Sequence, residues 1–162
     1  MLENKHRYNS LCFAVPNRPP RLEPFQRYDP PLYFVTFNTH RRRKLLANQD
    51  IHDRFREFSK AALPRGIAVG RYVIMPDHIH LFVAGHYDFV LDQSLRALKR
   101  TLSTVISSPR PHWQSGFFDH LIRHSESYGQ KWEYVVENPV RAGLVNHPDE
   151  WPWQGETETI YQ

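Results

Sequence analysis

A chain of 162 residues suffices for one domain with a real core and is too short for two comfortable ones. Hydrophobic residues make up 40% and charged residues 23%, the balance of a globular protein. No run approaches the ~20 apolar residues of a membrane-crossing helix, so helical channels and transporters are excluded. A formal net charge of +4, before ten histidines are counted, tilts the chain toward polyanions without naming one. Cys12 stands alone, which excludes a disulfide framework and a cysteine zinc site. The opening "MLENKHRYNS" lacks the apolar stretch of a signal peptide, so a cytoplasmic protein is expected, with no membrane partner.

Residues 1–31 hold six of the thirteen prolines and are expected to form an irregular arm, since proline donates no ladder hydrogen bond. "PLYFVTFNTH" (31–40) is rich in β-branched and aromatic residues and predicts a strand. The basic run "THRRRKLL" follows. In "ANQDIHDRFREFSKAAL", Ile51, Phe55, Phe58 and Ala62 recur at helical spacing behind Asn48 or Asp50 as cap. Pro64 and Gly66 stop that helix. "IAVGRYVIM" alternates Ile67, Val69, Arg71, Val73 and Met75 as a strand does, and a "PD" turn leads into "HIHLFVAG". The two should pair antiparallel. "DFVLDQSLRALKRTLSTVIS" places Leu91, Leu95, Leu98, Leu102 and Val105 along one helical stripe. "GFFDHLIRH" (116–124) predicts another strand, and "SESYGQKWEYVVENP" a helix with Ser127 and Gln130 as capping box and Pro139 at its end. This order suits an α+β fold, an antiparallel sheet with helices packed on one face.

Chemistry concentrates in "MPDHIHLFVAG". Successive strand residues point to opposite faces, so Ile79, Leu81 and Val83 belong to the helix side and His78, His80 and Phe82 to the other. Two imidazoles placed two strand residues apart, about 6–7 Å, can both reach one cation. One strand histidine is usually structural. Two, opposite a clean apolar row, point to a ligand pair. The pair suits a metal site short of a third ligand, a histidine-triad hydrolase or a nickase; Phe82 stands where the triad needs its third histidine, which disfavours that class.

Three blocks in order, "YFVTFNTHRRRKLL", "YVIMPDHIHLFVA" and "WQSGFFDHLIRHSESYGQKWEYVVENPVRAGLV", resemble the REP-associated tyrosine transposases, relatives of the single-tyrosine transposases of the smallest bacterial insertion sequences. The resemblance implies a ferredoxin-like or RRM-like HUH fold over 32–153, with a short tail at 154–162 and the tyrosine-bearing helix over the open face of the sheet. It also implies that Tyr128 is the nucleophile and that His78 and His80 hold a divalent metal ion, Mg²⁺ or Mn²⁺. The implied reaction is nicking and joining of single-stranded or hairpin DNA through a covalent 5′-phosphotyrosine. Read without the family, Tyr128 shares a helical face with Trp132 and Val135 and could be core. Trp132 stands where insertion-sequence relatives carry a metal-binding glutamine, which leaves the third ligand open among Glu133, Glu137 and water. Gly129 is unusual in a helix interior and is read as loosening the first turn, so that Tyr128 can swing.

Single strands are held by cations along the backbone and rings beneath the bases. Arg41, Arg42, Arg43 and Lys44 are the first candidates for phosphate contact, then Lys99 and Arg100, with His120 and Arg123 flanking the nucleophile. Two other classes stay open: a nucleic-acid-binding module without chemistry, and a metal-dependent phosphodiesterase that uses water. Monomer and homodimer are equally compatible with the sequence.

Overall fold

The computed structural model describes residues 30–123 and 125–160. Among the described residues the strands and α-helices run β1 (Leu32–Asn38), α1 (Gln49–Ala62), β2 (Ile67–Ile74), β3 (His78–Gly85), α2 (Leu91–Ser103), β4 (Phe118–Ile122), α3 (Ser125–Val136), α4 (Asn138–Arg141) and β5 (Gln154–Glu156). All pairings of the sheet are antiparallel, in the order β4-β1-β3-β2-β5. The proline-rich arm expected over 1–31 lies, up to residue 29, outside the described residues.

One face of the sheet is covered by α1 and α2. Asn48 caps α1 by accepting from the Ile51 N–H, and Ile51, Phe55, Ser59 and Ala62 turn inward. The stripe Leu91, Leu95, Leu98 and Leu102 does the same for α2. They close on Val35, Phe37, Ile79, Leu81 and Val83; each fully buried large side chain contributes roughly 1.5–3 kcal/mol. Gly66, at φ +77°, returns the chain from α1 into β2 in the left-handed conformation that glycine takes without strain.

The alternation expected along "IAVGRYVIM" breaks once. A register shift between Val69 and Tyr72 lets Val69, Tyr72 and Ile74 all join the helix-side core, while Val73 and Met75 belong to the opposite face. The extra residue of a bulge cannot be read from apolar periodicity.

The opposite face is not open along its whole length. Phe34, Val73, Phe82, Ile122, Tyr128, Val135 and Trp151 form a second apolar layer under α3 and the chain that follows it. Trp151 is anchored there by its indole N–H, which donates to the Ile74 carbonyl at 3.0 Å. The segment expected as a plain tail begins instead with β5, paired to β2 through Arg71↔Glu156 and Val73↔Gln154. Three residues are too few for periodicity to announce a strand.

Candidate active site

At the start of β3 the two histidines are only partly covered. His78 lies opposite Asn38, and His80 between Thr36 on β1 and Val73 on β2. The two rings stand at 88° with centroids 4.7 Å apart, and their Nε2 atoms approach to 3.1 Å. Each Nδ1 is already engaged. The Asp77 carboxylate lies 2.7 Å from Nδ1 of His78, and the Thr36 hydroxyl lies 2.7 Å from Nδ1 of His80. Behind Asp77 sits Arg42, whose Nε meets the other carboxylate oxygen at 2.8 Å.

The turn after β1 is shaped to make that contact. Arg41 and Arg42 both hold φ of +55°, a left-handed conformation costing roughly 1–3 kcal/mol for a residue with a Cβ. Several hydrogen bonds offset it. The N–H groups of Leu45 and Leu46 donate to the Pro76 carbonyl at 2.8 and 2.9 Å, and Thr39 N–H donates to Asp77 O at 2.9 Å. Arg42 also donates to the Asn38 side chain. The basic turn and the histidine strand are thus fastened to each other directly.

Burial, then the neighbouring charges of His78, Arg42 and Arg141, hold His80 down to a pKa of about 3. Burial also lowers His78, opposed by its hydrogen bond to Asp77. Both rings are therefore neutral at pH 7. With Asp77 accepting the Nδ1 proton of His78, its Nε2 presents a bare lone pair toward the Nε2 of His80. A lone pair aimed at a second imidazole nitrogen requires a proton or a cation between them. Two nitrogens ligating one divalent cation at about 2.1 Å, at right to tetrahedral angles, stand about 3.0–3.4 Å apart, and the observed 3.1 Å falls inside that interval. The residues fit such an ion. Among the described residues no third histidine, cysteine or carboxylate completes a cluster.

Tyr128 lies on the same side of the sheet, in the second apolar layer. It is 5% exposed, and its ring packs on Phe82 with centroids 4.4 Å apart. Phe82 is two residues beyond His80 and four beyond His78, so Tyr128 sits about one side-chain row, or ~7 Å along the strand, from His80 and two rows from His78. Its hydroxyl is turned toward the backbone of Arg71, whose guanidinium stands 5.7 Å from the Tyr128 ring and 5.4 Å from that of Trp132 and pairs with Glu156 on β5 at 3.5 Å. Burial raises the phenol's pKa, opposed by the Arg71 charge. The helix expected over an open face thus rests on a closed one, with the tyrosine turned inward.

A family model for IS200-like transposases matches residues 32–135, from the first residue of β1 to within a residue of the end of α3. The chain belongs to the IS200-like transposase family. It is similar to the REP-associated tyrosine transposase of Escherichia coli K12, with 25% identity over 122 residues that cover 75% of this chain and 73% of the relative. It also resembles a solved REP-associated tyrosine transposase bound to a REP hairpin, at TM-score 0.66 and 25% identity, covering 82% of each chain. These relatives are named as tyrosine transposases, enzymes that act on DNA. The family and the α+β architecture expected from sequence are both borne out.

The remaining expected site residues of this transposase fall into two groups. Arg41, Arg42 and Lys44 are exposed in the turn beside the histidines, and His120 and Arg123 are exposed on and just after the edge strand β4. By register, His120 shares a face with Phe34 and Phe82. Arg43, however, is turned into the fold: its guanidinium donates to Ser108 Oγ at 2.9 Å and Pro109 O at 3.0 Å, and to Pro111 O. Lys99 donates to the carbonyls of Gly116 at 2.7 Å and Gln114 at 3.4 Å, and with Arg100 it belongs to α2, which covers the face opposite the histidines. Sequence reasoning passed over Thr36, Asp77, Lys131 and Arg141. Asp77 was readable, as the carboxylate adjoining the histidine motif. Thr36 emerges only from strand register. Lys131, 5.2 Å above the Phe34 ring, and Arg141, whose charge reaches His80, depend on how α3 and α4 dock. No helix among the described residues is long and apolar enough to cross a membrane.

Proposed function

We propose that this transposase nicks and rejoins single-stranded, hairpin-forming DNA, with Tyr128 as nucleophile and a divalent cation, Mg²⁺ or Mn²⁺, held by His78 and His80. The reading is carried by the two neutral Nε2 atoms facing each other at 3.1 Å with both Nδ1 atoms tied back. A bound cation would supply charge neutralisation at the scissile phosphate.

In the first step the Tyr128 oxygen bonds to phosphorus and gives its proton to solvent, while the bond to the 3′-oxygen breaks and that oxygen takes a proton from solvent, freeing a 3′-hydroxyl. The product is a 5′-phosphotyrosine that keeps the phosphodiester, so attack by a new 3′-hydroxyl rejoins DNA without ATP. Asp77 and Thr36 orient the imidazoles, and Arg42 orients Asp77. For attack Tyr128 leaves its place against Phe82 and advances one row along β3, which requires α3 to shift or its first turn to loosen. Arg41, Lys44, His120 and Arg123, exposed on or near the histidine side, are the proposed phosphate contacts. Arg43 and Lys99 hold the 108–116 loop instead.

The burial of Tyr128 favours one rival, cleavage by water. A labelled REP-type hairpin incubated with the protein and Mn²⁺, then run on a denaturing protein gel, separates the readings. Label travelling with the protein, and lost in Tyr128→Phe, supports the proposal. Cleavage without an adduct supports hydrolysis, and binding without cleavage leaves only a binding module.

A further inference from the structure

Beside the imidazole pair, between β1 and the start of β4, lies a cleft of about 430 Å³. Register sets its position. Phe118 pairs with Thr36, and Thr36 with His80, so the three side chains form one row on one face. With neighbouring strands about 4.8 Å apart, Phe118 stands about 10 Å from His80, within the reach of one nucleotide. Phe118 is 59% exposed, a large ring presented to solvent on the face that carries the histidines.

The facing wall is built in advance. Gln114 N–H donates to Asn38 O at 3.0 Å, and Thr39 bridges Trp113. Trp113 donates its indole N–H to Lys99 O at 3.0 Å, and Lys99 donates back to Gly116 O at 2.7 Å. Gly116, at φ +74°, makes the turn that brings the chain back to Phe118. The side-chain amides of Asn38 and Gln114 meet at 3.4 Å on this wall, Asn38 donating to the Gln114 oxygen and accepting from Arg42, which leaves amide N–H donors for a ligand. No charged residue lines the cleft, although Arg41, Arg42 and Lys44 stand exposed close by. A slot lined by a flat ring and two amides suits a base, while the exposed cations beside it suit the phosphate that the base carries.

We propose that this cleft receives the unpaired base flanking the scissile phosphate, stacked on Phe118 with its polar edge against Asn38 and Gln114. The inference rests on the nicking reading above and adds that the protein itself senses the nucleotide at the cut.

The test uses the full chain carrying Tyr128→Phe, so that binding is measured without chemistry. A REP-type hairpin with a single-stranded flank is titrated while one abasic residue is moved along that flank. One position is expected to weaken binding about tenfold, as loss of a base–aromatic stack does. That penalty is expected to fall below twofold when Phe118→Ala is added and to persist with Phe118→Trp. A flank that tolerates the abasic residue everywhere, or a penalty unchanged by Phe118→Ala, overturns the proposal. The same protein without the Tyr128 change reports separately on the nicking reading: a covalent adduct with no position-specific penalty sinks the base cleft alone, whereas a Phe118-dependent penalty stands whether or not an adduct forms.

Discussion

The Nε2 atoms of His78 and His80 face each other at 3.1 Å while the opposite nitrogen of each ring is tied, His78 to Asp77 and His80 to Thr36. The two ties differ. A carboxylate only accepts, which fixes the His78 tautomer, whereas a threonine hydroxyl donates or accepts and so serves His80 in either tautomer. Removing such outer partners typically weakens metal binding 10–100-fold. Asp77→Asn and Thr36→Val are each expected to weaken Mn²⁺ binding by at least about tenfold in calorimetric titration. Unchanged affinity in both would show that the ties do not orient the rings.

The same burial makes the metal-free protein acid-sensitive. The folded-state pKa of His80 is depressed from 6.5 to about 3, and that of His78 is lowered as well. As pH falls below about 6.5, unfolded imidazoles take up protons that the folded rings refuse, so the unfolded state gains. This part of the stability is present above pH 6.5 and is lost toward pH 3, at up to ~1.4 kcal/mol per pH unit for His80. Thermal melts between pH 7 and 5 should show Tm falling more steeply in the parent than in His80→Gln. Parallel slopes would contradict the assignment. His52, lowered by burial and Arg56, adds an equal background to both proteins.

Within the basic turn the structure separates neighbours that sequence treats alike. Arg41 and Lys44 are exposed; each alanine variant should reduce the salt slope of DNA binding by about one unit. Arg43 bonds Ser108, Pro109 and Pro111. Arg43→Ala should therefore lower Tm, at a cost of about 1–3 kcal/mol for acceptors left unpaired, and leave the salt slope as it was. A flattened slope with unchanged Tm in Arg43→Ala would reverse the distinction.

Gly129 sits one residue past the proposed nucleophile, and a Cβ built on it would meet open space. Packing does not require glycine here, and alanine should strengthen α3 by about 1 kcal/mol. If the first turn must loosen to deliver Tyr128, Gly129→Ala will melt slightly higher and cleave more slowly. Equal single-turnover rates with the parent would remove that role from the glycine.

Much of this molecule is legible locally. Leucines at helical spacing gave α2, and Asn48 stood where a cap belongs. Alternation through "HIHLFVAG" separated His78, His80 and Phe82 from the core-facing row, and that separation holds. What sequence did not convey are relations across long stretches of chain. The β2 bulge moves Tyr72 and Val73 to faces that simple alternation denies them. Thr36 meets His80 across 44 residues, and Arg43 turns into a loop 65 residues away. Tyr128, Trp132 and Val135 were readable as one helical face, but not that this face would bury itself on Phe82 and Trp151.

In the proposed reaction Tyr128 makes the covalent bond to DNA, despite resting against Phe82 in a buried layer. Its most direct measurement is peptide mapping by mass spectrometry after incubation with a REP-type hairpin and Mn²⁺, followed by nuclease and protease digestion. The expected result is a nucleotide, joined through its 5′-phosphate, on the peptide containing Tyr128 and absent from Tyr128→Phe. Cleaved DNA bearing a free 5′-phosphate with every tyrosine unmodified, or the nucleotide on a different tyrosine, would contradict it.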